Sequence, residues 1–208
     1  MKIKDILSQI DIGQYALPEF QRGYVWNRDQ VRKLMKSLYN DYPIGQLLIW
    51  VTETNPEITR GDMALQPGYV KLILDGQQRI TSLYGIIRGC PPKFFDGNAS
   101  SFLNLYFNLD EEAFEFYSPK KMDGSPQWIN VTEVMKEHAG AIIEKKPELL
   151  KHLSRINRLD VIQEKEIHIE EVSEKKNIDV VVDIFNNVNS GGTKLSKGDF
   201  CPKQYAEW

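Results

Sequence analysis

Asp75-Gly76-Gln77-Gln78-Arg79 stands between two segments of different periodicity, and that placement constrains the fold more than any other feature of the chain. Before it, Val70-Lys71-Leu72-Ile73-Leu74 is a short apolar run bounded by Gly68 and Gly76, the pattern of a buried strand. After it, Ile80, Leu83, Tyr84 and Ile87 recur at spacings of three and four, the pattern of a helix with one apolar face. The motif therefore predicts a strand that turns directly into a helix N-terminus. Gly76 permits backbone to approach a ligand closely, and the free amides and dipole of a helix start favour an anion. Arg79, in the first turn, adds a fork of donors suited to phosphate. The same junction can arise as a plain turn, with Asp75 capping the helix and Gln77, Gln78 and Arg79 on a solvated face.

The flanking sequence supplies the rest of an α+β architecture. Ile3, Ile6, Leu7 and Ile10 mark an amphipathic helix over 1–12, and Tyr15–Trp26 reads as extended because Pro18 and Gly23 interrupt any helix. Asn27 is an N-cap candidate for a helix with the stripe Val31, Leu34, Met35, Leu38, Tyr39 and Tyr42, stopped by Pro43 and Gly45. The apolar run 46–52 predicts an internal strand, and 53–69 a loop long enough to serve a site. Phe102–Phe107 and Ala113–Tyr117 predict a hairpin, 131–139 and 147–159 two helices, 167–172 a strand, and 178–188 a helix with the stripe Ile178, Val181, Val182, Phe185 and Val188.

Polar residues gather in three places beside these elements: Gln21-Arg22-Gly23-Tyr24-Val25-Trp26, the Asp75–Arg79 motif, and Asn186–Thr193 with Asn189, Gly191 and Gly192. Each offers what a polyphosphate needs, with Arg22 and Arg79 as guanidinium clamps and glycines for close backbone approach. Tyr24 and Trp26 have faces able to stack a base, although such aromatics pack in cores more often. Spacing alone does not bring the three together.

These blocks resemble the N-terminal domain of GmrSD-type modification-dependent restriction enzymes. The likeness rests on Gln21–Trp26, Tyr42-Pro43-Ile44-Gly45, Leu74–Leu83 and Ile184–Ser196, and runs in order over residues 1 to about 199. It implies a ParB/sulfiredoxin-like fold, a small mixed sheet flanked by helices, with a core over 1–125 and a helical extension over 126–208 that completes the pocket. It implies binding and hydrolysis of a nucleoside triphosphate, GTP or ATP, with Mg²⁺. Carried over by position, Asp75, Gln77, Gln78 and Arg79 are the catalytic or phosphate-contacting set. Gln21, Arg22, Gly76, Thr81, Asn189, Gly191 and Gly192 line the nucleotide, and Tyr24 and Trp26 contact a base or DNA.

The resemblance further implies control of an HNH nuclease and sensing of modified DNA; a homodimer is compatible with it. No HNH site is legible here, since His138, His152 and His168 are scattered, so the sequence predicts either a fragment or a regulatory subunit whose nuclease is another polypeptide. A modified-DNA-binding module without catalysis is the alternative. A net charge of −3 gives no general affinity for nucleic acid, leaving only a local groove for that role. Sulfiredoxin-type chemistry needs a cysteine at the helix start, where Gln77 stands; Cys90 falls at the helix end, where the dipole disfavours a thiolate. With Cys90 and Cys201 far apart, no apolar signal core and no spanning segment, the sequence predicts a cytoplasmic protein without disulfides or a protein-ligated metal.

Overall fold

A computed structural model describes residues 1–18, 23–53, 68–173 and 178–188. Two small sheets and seven α-helices make a mixed α+β structure among these residues. The first sheet has the order β1-β3-β2-β7, from Tyr15–Ala16, Tyr69–Asp75, Leu47–Glu53 and Ile169–Val172. β2 and β3 pair antiparallel, while β1 joins β3 and β7 joins β2 in parallel. The apolar run 46–52 is thus internal, as its composition predicts.

Alternation along β2 and β3 decides which helices cover which face. Leu47, Ile49 and Ile73 belong to the large core beneath α1 (Ile3–Asp11), α2 (Arg28–Tyr39) and α3 (Gln77–Arg88). Leu48, Trp50, Leu72 and Leu74 point the other way, onto Val181 and Phe185 of α7 (Ile178–Val188). Val188 does not share that burial; it is 53% exposed at the helix end.

Local sequence accounts for most helix limits. Asn27 caps α2 in a reciprocal box with Gln30, each side chain accepting the other's backbone N–H. α2 ends at Tyr39, and Asp41 turns the chain at φ +58°, which throws Tyr42 off the predicted stripe to 61% exposure. α5 (Val131–Lys145) outruns its predicted end at 139 because a break at His138 is stitched rather than terminal. Asp160 accepts the Ala139 N–H, and Gln163 donates to the Met135 carbonyl, so groups freed by the break find partners. Pro147 opens a 3₁₀ segment, Pro147–His152, and α6 covers only Leu153–Asp160.

The predicted hairpin is β4 (Leu105–Asn108) and β5 (Ala113–Phe116), extended by β6 (Trp128–Asn130) into an antiparallel sheet with the order β5-β4-β6. A short helix, α4 (Pro119–Met122), lies between β5 and β6. Phe102 is not part of β4; it follows a 3₁₀ turn at Ala99–Ser101 and sits against Gly85, where a Cβ would overlap its ring. One apolar cluster runs from Ile3 through this sheet to Ile167. No helix among the described residues is long and apolar enough to cross a membrane.

Candidate functional site

β3 delivers Asp75 to the surface, and Gly76 turns the chain into α3 at φ +93°. That left-handed value, together with a Cβ position that would overlap Leu47 Cδ2, excludes any other residue without rearrangement. The Ile80 N–H donates to the Gly76 carbonyl at 3.0 Å and closes the first turn. Gly76 has no side chain to cap the amides of the first turn that follows. α2 and α5 differ, for Asn27 and Asn130 accept from the Gln30 and Glu133 amides.

The two last residues of the motif spend their polar atoms on neighbouring loops. The Arg79 side chain is only 14% exposed. Its Nη1 donates to the Ile44 carbonyl at 2.6 Å, and its Nη2 to the Gln46 carbonyl at 2.8 Å and to Asp75 Oδ2 at 3.0 Å. Gly45 bends beneath the guanidinium at φ +81°. Gln78 faces the other way along the helix rim. Its Oε1 accepts from the Val25 and Trp26 amides at 2.9 and 3.2 Å, and its Nε2 donates to the Gly23 carbonyl at 3.3 Å.

Gln77 is buried and points inward, where it lines a crevice with Thr81, Leu17, Gly23 and Tyr24. Phe94, Phe95 and Asp96 close the remaining side. The crevice is about 10 Å³, room for roughly one water. Tyr24 meets Phe95 and Phe102 edge-on, with centroids 5.8 and 5.1 Å apart, and its hydroxyl lies 2.7 Å from Ser82 Oγ. Burial pushes the Tyr24 phenol up to about 12, opposed by the Ser82 hydrogen bond. The Tyr24 ring is therefore a wall of the crevice held by packing, and Trp26 is half-buried against the same core.

The structure brings Asp75, Gly76, Gln77, Gln78, Arg79, Thr81, Tyr24 and Trp26 to one end of α3. Gln21, Arg22, Asn189, Gly191 and Gly192 lie outside the described residues. Sequence reasoning missed Phe94, Phe95 and Asp96. Gly89 and Pro91-Pro92 do announce a reversal after α3, but not that the chain returns to the crevice at the helix start. Cys90 is exposed just past the opposite end of α3. Among the described residues no three His, Cys, Asp or Glu side chains cluster as metal ligands; Asp75, with one oxygen on Arg79, is the carboxylate of the motif.

Comparison with known proteins places the chain in a family. A family model described as GmrSD restriction endonuclease, N-terminal domain, matches residues 3–205. The chain also resembles the uncharacterized protein MJ0686 of Methanocaldococcus jannaschii, with 40% identity over 92 residues. That match takes in 38% of this chain and 16% of the relative's length. The chain belongs to the GmrSD restriction endonuclease N-terminal domain family.

Proposed function

We propose that this domain binds a nucleoside triphosphate at the β3–α3 junction and, through hydrolysis, governs a nuclease of the restriction system that family membership implies. The observation that carries the reading is the start of α3 behind left-handed Gly76, beside a crevice walled by Gln77, Thr81 and Tyr24. The amides and dipole of a helix start suit a phosphate oxygen, and Gly76 brings no side chain of its own over them. Thr81 and Gln77 are placed to orient a polar group entering the crevice, while Phe95 and Tyr24 supply apolar wall. Mg²⁺ would neutralise phosphate charge, and Asp75 is the carboxylate of the motif that would hold it through water. A volume near 10 Å³ is far below the several hundred Å³ of a ligand pocket. Entry of a nucleotide therefore requires the Tyr24 and Phe94–Asp96 walls to part. A ParB-like ancestry of the sheet, and a nuclease domain or subunit as the controlled partner, belong to the same proposal.

Calorimetric titration with GTP and ATP in Mg²⁺, with phosphate release measured in parallel, tests it. Saturable binding by the wild-type chain is expected. Gln77→Ala should weaken it at least tenfold with the apo melting temperature held to within a few degrees. If folded wild-type protein binds neither nucleotide, the reading fails. Salt-sensitive binding of modified duplex without nucleotide turnover would then favour the modified-DNA module.

A further inference from the structure

Four polar side chains of the motif crowd one helix start, but they face different parts of the molecule. Gln78 uses both ends of its amide on the backbone at 23–26. Arg79 spans two carbonyls of the 44–46 loop and one oxygen of Asp75. The two loops lie 52–55 and 33–35 residues away in sequence, so these contacts are tertiary rather than helical. Gln77 alone of the motif's polar side chains lines the crevice.

We infer that Gln78 and Arg79 are positioning residues, each clasping one flanking loop, and that Gln77 is the motif side chain that meets the ligand. This rests on the nucleotide reading of the crevice. Gln78 holds Gly23, and with it the neighbouring Tyr24, at the rim of the crevice. Arg79 fixes the left-handed turn at Gly45, whose own Cβ position lies 2.6 Å from Nη1 and leaves no room for a side chain under the guanidinium. Arg79 directs three of its N–H donors at the protein, and Gln78 engages both ends of its amide, so both side chains are held to the loops without a phosphate.

Conservative variants separate the two roles. Gln78→Glu keeps an oxygen for the Val25 and Trp26 amides, gives up the Nε2 donor to Gly23 and adds negative charge, while Gln78→Ala removes the whole clasp. For a positioning residue, Gln78→Ala weakens GTP or ATP binding about tenfold, and Gln78→Glu, which keeps the two amide bonds, restores part of it. A direct phosphate contact predicts the reverse order, because the new carboxylate repels the anion. Arg79→Lys keeps a point charge adequate for phosphate but cannot reach both carbonyls and Asp75. The inference expects Arg79→Lys to lower the apo melting temperature nearly as far as Arg79→Ala.

Amide exchange in the nucleotide-free protein gives a readout independent of ligand. Val25 and Trp26 should exchange at least tenfold faster in Gln78→Ala, and at close to the wild-type rate in Gln78→Glu. Unchanged exchange in Gln78→Ala, or nucleotide affinity poorer in Gln78→Glu than in Gln78→Ala, overturns the inference. Wild-type protein that binds no nucleotide defeats the proposed function instead, and the exchange arm still decides the clasp.

Discussion

Two arginine-centred networks hold this fold together, and they are built differently. At the β3–α3 junction, Arg79 is mostly buried and directs two of its three bonds to backbone carbonyls. At the turn of the small sheet, Glu112 gathers Arg155 at 3.1 Å, Arg158 at 3.1 Å and the Tyr39 hydroxyl at 2.8 Å. The side chains of Arg155 and Arg158 are 38% and 42% exposed, and Arg158 also lies over the Tyr39 ring at 4.0 Å. The junction fixes the path of loops, since a carbonyl cannot move without its chain. The Glu112 network adds carbonyl bonds of its own, from Arg155 to Leu109 and from Arg158 to Tyr39, but is centred on carboxylate–guanidinium pairs that water and salt partly screen. A binding site gains from the first kind of bond, because precision of backbone placement matters there more than total stability.

The largest effect expected from breaking this contrast is at Gly76. Gly76→Ala combines a left-handed φ with an overlap on Leu47, and should cost about 3 kcal/mol or more in denaturant unfolding. Gly45→Ala meets the same backbone penalty but strikes the tip of Arg79 rather than core, so a smaller loss of about 2 kcal/mol is expected. Glu112→Gln should cost about 1 kcal/mol at low ionic strength, and the loss should shrink as salt is added. A salt-independent loss at Glu112 would show that the two networks are not the different devices their exposure suggests.

The smallest effect separates two tyrosines at high pH. Burial raises both Tyr24 and Tyr39 from 10.0 to about 12, and Glu112 reinforces the shift at Tyr39 through its hydrogen bond and charge. Because the folded values lie above the unfolded one, the stability they confer is complete below pH 10 and is lost as pH rises toward 12. Spectrophotometric titration of Tyr24→Phe and Tyr39→Phe against wild type assigns the two phenols. Added salt should lower the Tyr39 midpoint while leaving that of Tyr24, which burial and the Ser82 hydrogen bond set, nearly fixed. Equal salt response at both would remove the distinction.

Much of the fold was legible before any coordinates. The stripe of α1 reappears residue for residue in its buried face, Asn27 caps α2, and the strand–Gly76–helix junction stands where periodicity changes. The misreadings share a cause. Phe102 looked like strand because aromatics favour strands, but packing on Gly85 claimed it. The α5 break at His138 was bridged by Asp160, more than twenty residues away, so no local rule could locate the helix end.

The site divides along the same line. A left-handed glycine, a helix start and the direction of an apolar stripe are written within one or two turns, because sterics and hydrogen bonding there involve only neighbours. The partners of Gln78 and Arg79 are not, since both residue types can face solvent, phosphate or backbone equally well by chemistry. The sequence by itself determined that a strand must turn into α3 at Gly76 and that polar side chains would surround the turn. Only the tertiary structure decided which of them would be spent holding the 23–26 and 44–46 loops and which would face the crevice, because a hydrogen-bonding side chain takes the partner that folding brings within 3 Å or so of it.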